Sequence, residues 1–224
     1  MAADDLRTDD RLTTPDEGVP SLPSFATHYF PGDRLPFLNL SDLDLDEADR
    51  VMADMDRLRA AGRQFRPFGR RYLELRRLTE QRLRELFIAA GGQPERAAPH
   101  SFVLGASRWW QGLVPGARRA RIELADLPPA VTSVTYPDSF VAMEIGPAFG
   151  IEQTARPYHG QVFTLDQLPD LVARHGIPDP PWRPEHRDWR TWPEETFIEI
   201  QVWADGPLAK ATIEPAGIEP AGHV

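Results

Sequence analysis

The sequence predicts an α+β protein in which an N-terminal helical hairpin precedes a largely antiparallel five-stranded sheet with one inserted helix. Before Gly92, two segments repeat apolar residues at the spacing of amphipathic helices. After Gly92, the apolar residues fall in short runs rich in β-branched and aromatic side chains, bounded by Gly, Pro and Asp. We expect one domain over residues 25–208, a disordered acidic arm at 1–24 and a disordered tail at 209–224.

Two amphipathic segments make the predicted hairpin, over about residues 42–91. The first helix is capped by a hydroxyl or acidic residue within 41–44 and ends at Gly62. The second helix runs from about 68 to 90, and its arginines are expected to face water. The predicted inward residues are Leu45, Ala48, Met52, Met55 and Leu58 in the first helix, and Tyr72, Leu75, Leu78, Leu83, Leu86 and Phe87 in the second.

Five strands are predicted within about residues 99–203. They cover residues 100–104, 120–124, 131–136, 161–165 and 196–203. Between the fourth and fifth strands, Thr164 and Gln167 stand at the spacing of a capping box and mark the start of the inserted helix. Gly176 marks its end.

Composition and charge narrow the possible functions. The chain has 224 residues, no cysteine and a formal net charge of -9. Disulfides, thiolate metal sites and a cysteine nucleophile are therefore excluded, and bulk electrostatic binding to nucleic acid is disfavoured. No apolar stretch is long enough to span a membrane and no signal peptide is evident, so we expect a cytoplasmic protein without a membrane partner. The arginines between Arg57 and Arg84 form either a solvated face or a phosphate-binding one.

The last predicted strand carries the strongest candidate residues. Strand alternation places Phe197, Glu199, Gln201 and Trp203 on one face, opposite Ile198, Ile200 and Val202. A carboxylate beside aromatic side chains can have a perturbed pKa or orient a sugar hydroxyl. The alternative is that this face is half-exposed and that Glu199 is solvated.

Two further groups of polar residues lie at strand ends, where binding groups are common. Tyr136, Asp138 and Ser139 follow the third strand, and they could contact a ligand or merely complete a turn. His100 begins the first strand and His159 precedes the fourth, so each is a candidate acid, base or ligand-orienting group. A structural role is the alternative for both. No helical His spacing points to a metal site.

The loop over residues 178–193 combines tryptophan with arginine and proline. Trp189 and Trp192 could belong to a lid that stacks an aromatic or sugar ligand. Alternatively, the tryptophans only hold a long loop on the sheet. The sequence leaves these two interpretations equal.

Four segments together resemble a group of uncharacterised proteins that are common in actinobacteria. They are residues 99–105, 135–139, 158–165 and 197–203. The resemblance spans about residues 28–208 and implies no known activity.

A fainter resemblance, carried by His100, Tyr136 and Glu199, is to the ADP-ribosyltransferase superfamily, which uses NAD and places a His or Arg on an early strand and a catalytic Glu on a late one. That resemblance implies that His100 holds the nicotinamide ribose and that Tyr136 stacks on the nicotinamide. It also implies that Glu199 orients the ribose and stabilises an oxocarbenium-like transition state. NAD would then be the cofactor.

Taken together, the residues predict a small-ligand or nucleotide-binding protein, with an ADP-ribosyltransferase-like enzyme as one form of it. One alternative is a non-catalytic protein-interaction or immunity-type partner. Another is a nuclease in which Asp138, Glu199 and Gln201 hold a divalent metal and the Arg-rich helices hold DNA. Motifs typical of kinases, serine hydrolases and dinucleotide oxidoreductases are absent from the sequence.

Overall fold

One antiparallel sheet organises the computed structural model, which describes residues 22–66, 70–149 and 152–214. Within these residues the sheet has seven strands in the order β5-β4-β6-β2-β1-β3-β7. The strands are β1 (Phe25–Phe30), β2 (His100–Leu104), β3 (Arg118–Glu123), β4 (Thr132–Thr135), β5 (Phe163–Thr164), β6 (Glu199–Val202) and β7 (Thr212–Glu214). Every pairing between neighbouring strands is antiparallel.

The predicted count of five strands is wrong, because two strands lie where the sequence predicts none. Strand β1 occupies an aromatic segment that ends in a turn, and it pairs with both β2 and β3. Strand β7 lies inside the predicted tail, where Ile213 is opposite Ala120 and Glu214 makes an ion pair with Arg119 at 3.5 Å. The residues of β1 include the aromatic and β-branched types that favour strands, so its sequence carries a strand signal that the prediction left out, whereas β7 is only three residues long.

The folded chain extends beyond the predicted domain boundaries at both ends. The carbonyl of Ser24 accepts a hydrogen bond from the Leu124 amide, and Leu22 packs against the main core. The fold therefore includes at least three residues before the predicted boundary at 25. The rest of the predicted arm, 1–21, and the end of the predicted tail, 215–224, lie outside the described residues.

Of the five α-helices in the described residues, the first, second and fifth begin and end close to the predicted residues, and the other two lie where the sequence predicts no helix. The five are α1 (Leu45–Ala60), α2 (Arg70–Ala89), α3 (Arg108–Leu113), α4 (Ser139–Ala142) and α5 (Leu168–His175). Asp44 caps α1 through its side chain, and the capping box of Thr164 and Gln167 starts the short 3-10 turn that leads into α5. No helix in the described ranges is long and apolar enough to cross a membrane.

The two sides of the sheet are covered by different helices. On one side, Phe102, Ile200 and Val202 form the main core with residues of the inserted helix α5. On the other side, Trp203 packs against Leu83 and Phe87 of α2. We call this second side the helix-facing side of the sheet, and it is the side that carries Glu199.

Helix α2 differs from its predicted inward face. Leu78 is 55% exposed, whereas Arg76 and Glu80 point inward from the central turns of the helix. These two residues lie on the same face as Leu83 and Phe87. The expectation that the arginines of this helix all face water is therefore wrong for Arg76.

Helices α1 and α2 share one small buried cluster. Ala48 and Met52 of α1 pack with Leu73 of α2. Leu45, predicted to face inward, is 63% exposed. Both helices form where the sequence predicts them, and their arrangement as an antiparallel hairpin stays a prediction.

Gln201 lies at the centre of a buried hydrogen-bond network on the helix-facing side. Its Oε1 accepts a hydrogen bond from Ser133 Oγ at 2.9 Å, and its Nε2 donates one to Thr135 Oγ1 at 2.9 Å. Trp203 Nε1 donates to Ser133 Oγ at 2.8 Å. The network ties β4 to β6 and leaves the Gln201 side chain fully engaged in structure.

We expect Gln201→Ala to lower the free energy of unfolding by about 2–4 kcal/mol, because it creates a cavity and removes partners of Ser133 and Thr135. Urea denaturation measures this change. The matched control is Gln81→Ala, since Gln81 is exposed on α2 and its loss should cost less than about 0.5 kcal/mol. Equal costs for the two variants would contradict the structural role.

Candidate functional site

A cavity of about 590 Å³ lies against the helix-facing side of the sheet. Residues from α1, α2, β1, β2 and the segment 31–43 line it. Its volume lies within the range of roughly 300–1,000 Å³ that is common for small-molecule sites. The apolar part of the wall includes Met55, Leu58, Leu83, Trp110, Phe140 and Phe197.

Glu199 is buried in the polar part of this wall. Strand alternation in β6 turns it toward the helices, and only 6% of the residue is exposed. Its Oε2 accepts a hydrogen bond from the Ser139 amide at 2.8 Å. The interpretation of Glu199 as a solvated residue on a half-exposed face is therefore wrong, because α2 covers that face.

Asp138 lies beside Glu199 at the start of α4. Its Oδ1 accepts hydrogen bonds from the amides of Phe140 and Val141 at 3.0 and 3.3 Å, which is the role of a helix cap. Burial, together with the negative charge of Glu199, raises the pKa of Asp138 to about 7, although the two amides oppose this change. Near neutral pH, Asp138 is thus divided between its protonated and ionised forms.

Helix α2 adds a buried ion pair to the same cavity. Arg76 Nε lies 2.8 Å from Glu80 Oε1, and Arg76 Nη1 donates to Tyr72 OH at 3.4 Å. Burial raises the pKa of Glu80, while the charge of Arg76 opposes this shift. Burial disfavours the charged form of Arg76, but the negative charge of Glu80, the contact with Tyr72 and the charge of Glu199 together outweigh it, so the pKa of Arg76 is raised.

The sequence does not predict that Tyr72, Arg76 and Glu80 are site residues. The available signal was their spacing, since positions 72, 76 and 80 fall on one face of a helix with the buried Leu83 and Phe87. Helix charges are more often solvated, so this spacing alone favours a surface location. Burial by the sheet is what makes these groups part of a site.

Asp138, Ser139 and Glu199 are predicted residues that line the cavity together on the helix-facing side of the sheet, and His100 borders it from the other side. Tyr136 lies on the opposite side of the sheet, where its hydroxyl donates to the His175 carbonyl at 2.8 Å and its ring packs against Tyr158. The expectation that Tyr136 shares a surface with Glu199 is therefore wrong.

His100 also has its side chain on the other side of the sheet from Glu199, although the residue borders the cavity. In the β2–β6 pair it is opposite Val202, so it shares the face of Val202. Its Nε2 lies 2.9 Å from Asp205 Oδ1. Burial lowers the pKa of His100, and the hydrogen bond to Asp205 opposes this effect.

His159 lies away from the cavity, between two carboxylates. Its Nδ1 is 3.5 Å from Glu144 Oε1 and its Nε2 is 3.9 Å from Glu194 Oε1. The imidazole is buried, with 4% of the side chain exposed. His159 is therefore separated from the cluster of Asp138 and Glu199.

The tryptophans of the 178–193 loop hold it against α3. Trp109 contacts Trp182 and Trp192, with ring centroids 4.9 and 5.4 Å apart. Trp192 Nε1 also donates to the His186 carbonyl at 2.7 Å, and Arg190 lies over the ring of Trp189. Trp182, Trp189 and Trp192 do not line the cavity. The geometry favours the structural interpretation of the loop over a lid at this site.

Neither enzyme hypothesis gains support from this geometry. The sheet separates Glu199 from both His100 and Tyr136, so the three residues of the ADP-ribosyltransferase-like hypothesis do not converge. For the nuclease, no group of three His, Cys, Asp or Glu residues in the described part of the chain is placed to hold a metal ion. Gln201 is occupied by Ser133 and Thr135. The ADP-ribosyltransferase-like hypothesis stays an untested prediction.

Comparison with known proteins adds no relative to this description. A scan against family models and searches of curated proteins and of solved structures all gave no match. The geometry of the cavity is therefore the basis for inferring a function.

We expect Asp138→Asn to stabilise the protein increasingly as the pH rises from 5 to 8.5. The pKa of Asp138 lies above its ordinary value, so its favourable contribution is complete below about pH 4 and is lost as the pH rises through about 7. Asparagine can still accept the two amide hydrogen bonds but carries no charge. The gain above pH 7 should be on the order of 2–4 kcal/mol.

Urea denaturation of both proteins across this pH range measures the difference. The matched control is Asp166→Asn at an exposed position, which should change the free energy of unfolding by less than about 0.5 kcal/mol. A difference between Asp138→Asn and the unaltered protein that stays constant with pH would contradict the shifted pKa.

We expect Gly112→Ala to loosen the 178–193 loop, because an added Cβ would overlap the side chain of Trp182 near its own Cβ. Overpacking of this kind costs about 1–3 kcal/mol, so tryptic cleavage after Arg187 and Arg190 should become roughly tenfold faster. Gly206→Ala is the control, since its Cβ would meet no atom within 4 Å. Unchanged cleavage of Gly112→Ala would show that Trp182 does not hold the loop.

Proposed function

We propose that this protein binds a small amphipathic organic molecule in the cavity between the helix-facing side of the sheet and helices α1 and α2. The observation that carries this proposal is the division of the wall into a buried polar end and an aromatic and aliphatic remainder. Small-molecule sites typically combine an apolar wall with a few convergent polar groups.

The polar end is costly to maintain without a ligand. Burying a carboxylate is unfavourable unless hydrogen bonds or opposite charges compensate it. Glu199 receives one hydrogen bond, from the Ser139 amide to Oε2, and the described residues provide no donor to its Oε1. Perturbed carboxylates in a cavity are more frequent at functional sites than in ordinary cores.

The apolar part of the wall suits the body of such a ligand. Trp110 and Phe197 contact each other with centroids 5.9 Å apart, and Phe140 packs edge-on against Tyr72 at 5.5 Å. These rings stand next to the carboxylates, since Phe140 follows Ser139 and Phe197 precedes Glu199 in the chain. A ligand with its polar group at Glu199 would thus place its apolar body on aromatic surface.

We expect the protein to bind one molecule of a neutral apolar fluorophore, N-phenyl-1-naphthylamine, with a saturable rise in emission. Val103→Phe should weaken this binding at least roughly tenfold, since Val103 lies opposite Glu199 on β2 and lines the cavity. Leu78→Phe adds similar bulk at a position that is 55% exposed and outside the cavity, so it should bind as the unaltered protein does.

The urea unfolding curve of Val103→Phe checks that the variant is folded at the temperature of the titration. Binding that is unaffected in the folded Val103→Phe protein would place the fluorophore elsewhere and contradict the proposal. Absence of saturable binding by the unaltered protein would also contradict it, and would favour the protein-partner alternative.

A further inference from the structure

We infer that the polar end of the ligand carries one positive charge, as an alkylammonium or amidinium group does, and that Asp138 and Glu199 hold it. This inference rests on the proposed function and names the chemical class of its ligand. It follows from the charges around the cavity, from the hydrogen bonds that Glu199 lacks and from the aromatic rings beside both carboxylates.

The charges around the polar end do not balance when all are ionised. Three carboxylates, Glu80, Asp138 and Glu199, face two guanidinium groups, those of Arg66 and Arg76. Arg76 is engaged with Glu80 at 2.8 Å, and Arg66 lies over the Trp110 ring, with 5.0 Å from Cζ to the centroid. The excess of one negative charge thus belongs to Asp138 and Glu199.

The other charged residues that line the cavity do not correct this excess. Arg34 makes an ion pair with Asp54 at 3.5 Å. Asp33 and Arg63 are exposed and carry opposite charges. Water screens exposed groups such as these far more than it screens the buried carboxylates.

Buried acceptor atoms provide a second and independent observation. Glu80 is 6% exposed, and its charge is compensated by Arg76 Nε at 2.8 Å and by the Ser41 hydroxyl, so the missing donor concerns Glu199. Glu199 is equally buried, and within the described residues only its Oε2 accepts a hydrogen bond. A ligand that donates several hydrogen bonds, as an ammonium group does, meets this lack of donors.

The aromatic neighbours favour the same ligand class. Phe140 is two residues after Asp138, and Phe197 is two residues before Glu199. The Trp110 ring lies against Phe197. The face of an aromatic ring attracts a cation, and the attraction is larger where water is excluded. An anionic head group would instead meet two carboxylates in a poorly screened environment.

Without a ligand, a proton on Asp138 removes the excess charge. The pKa of about 7 means that this carboxyl is largely protonated at pH 6 and largely ionised at pH 8.5. The negative charge of Glu199 acts on Asp138. Arg76 interacts electrostatically with both Glu199 and Glu80. A cationic ligand would take the place of the proton, so that binding at pH 6 releases about one proton to solvent and binding at pH 8.5 releases almost none.

The test compares three probes of similar shape: 4-phenylbutylamine, the neutral 4-phenylbutanol and the anionic 4-phenylbutyrate. At pH 8.5 the amine should bind at least tenfold more tightly than the alcohol, and the alcohol more tightly than the acid. The preference for the amine should fall at least tenfold in Glu199→Gln and should be retained in Glu95→Gln, because Glu95 is exposed and outside this cavity.

Isothermal titration in two buffers of different ionisation enthalpy measures the proton release directly. The amine should release close to one proton per site at pH 6, and Asp138→Asn should abolish that release. Asp138→Asn is expected to remain folded, because asparagine can cap α4 in the same way. Binding of the amine without proton release at pH 6 would overturn the inference.

Failure of this inference and failure of the proposed function give different results. If the alcohol binds as tightly as the amine, or the acid more tightly than both, the cavity binds ligands but the charge assignment is wrong. If none of the three probes binds and N-phenyl-1-naphthylamine does not bind either, both proposals are wrong.

Discussion

Helix α2 covers a side of the sheet that is polar at its centre, and this constraint shapes the rest of the molecule. Water is largely excluded there, so the groups on β6 need partners within the protein. Gln201 finds them in the hydroxyls of β4, and Trp203 packs against the end of the helix. Among the described residues, only the Ser139 amide donates a hydrogen bond to Glu199, and the cavity lies next to this carboxylate.

Local periodicity was sufficient to predict the elements that have their own signal. Alternation identified β6 and the face of Glu199, and the capping box of Thr164 and Gln167 located the inserted helix. Strands β1 and β7 were not predicted, and both are held in the sheet by pairing with distant residues. The inward face of α2 was misjudged because Arg76 and Glu80 neutralise each other in the interior.

The candidate site was predictable only in part, for a related reason. Asp138 and Glu199 stood out as carboxylates beside aromatic residues near strand ends, and the fold brings them together. Sequence alone did not show that Tyr136 and His100 turn to the other side of the sheet, because that depends on the register of β2 and β4 against β6. The contribution of α2 depends on a contact between segments more than one hundred residues apart.

The strand order has a consequence for synthesis of the chain. Strand β6 is the link between a pair, β5 and β4, and a group of four, β2, β1, β3 and β7. The ribosome synthesises β2 and β4 well before residues 199–202, so the inner edges of both groups stay unpaired until β6 emerges. The sheet, and with it the wall that holds Glu199, can close only after β6 has left the exit tunnel. Such a nascent chain presents open backbone edges to chaperones and to other chains.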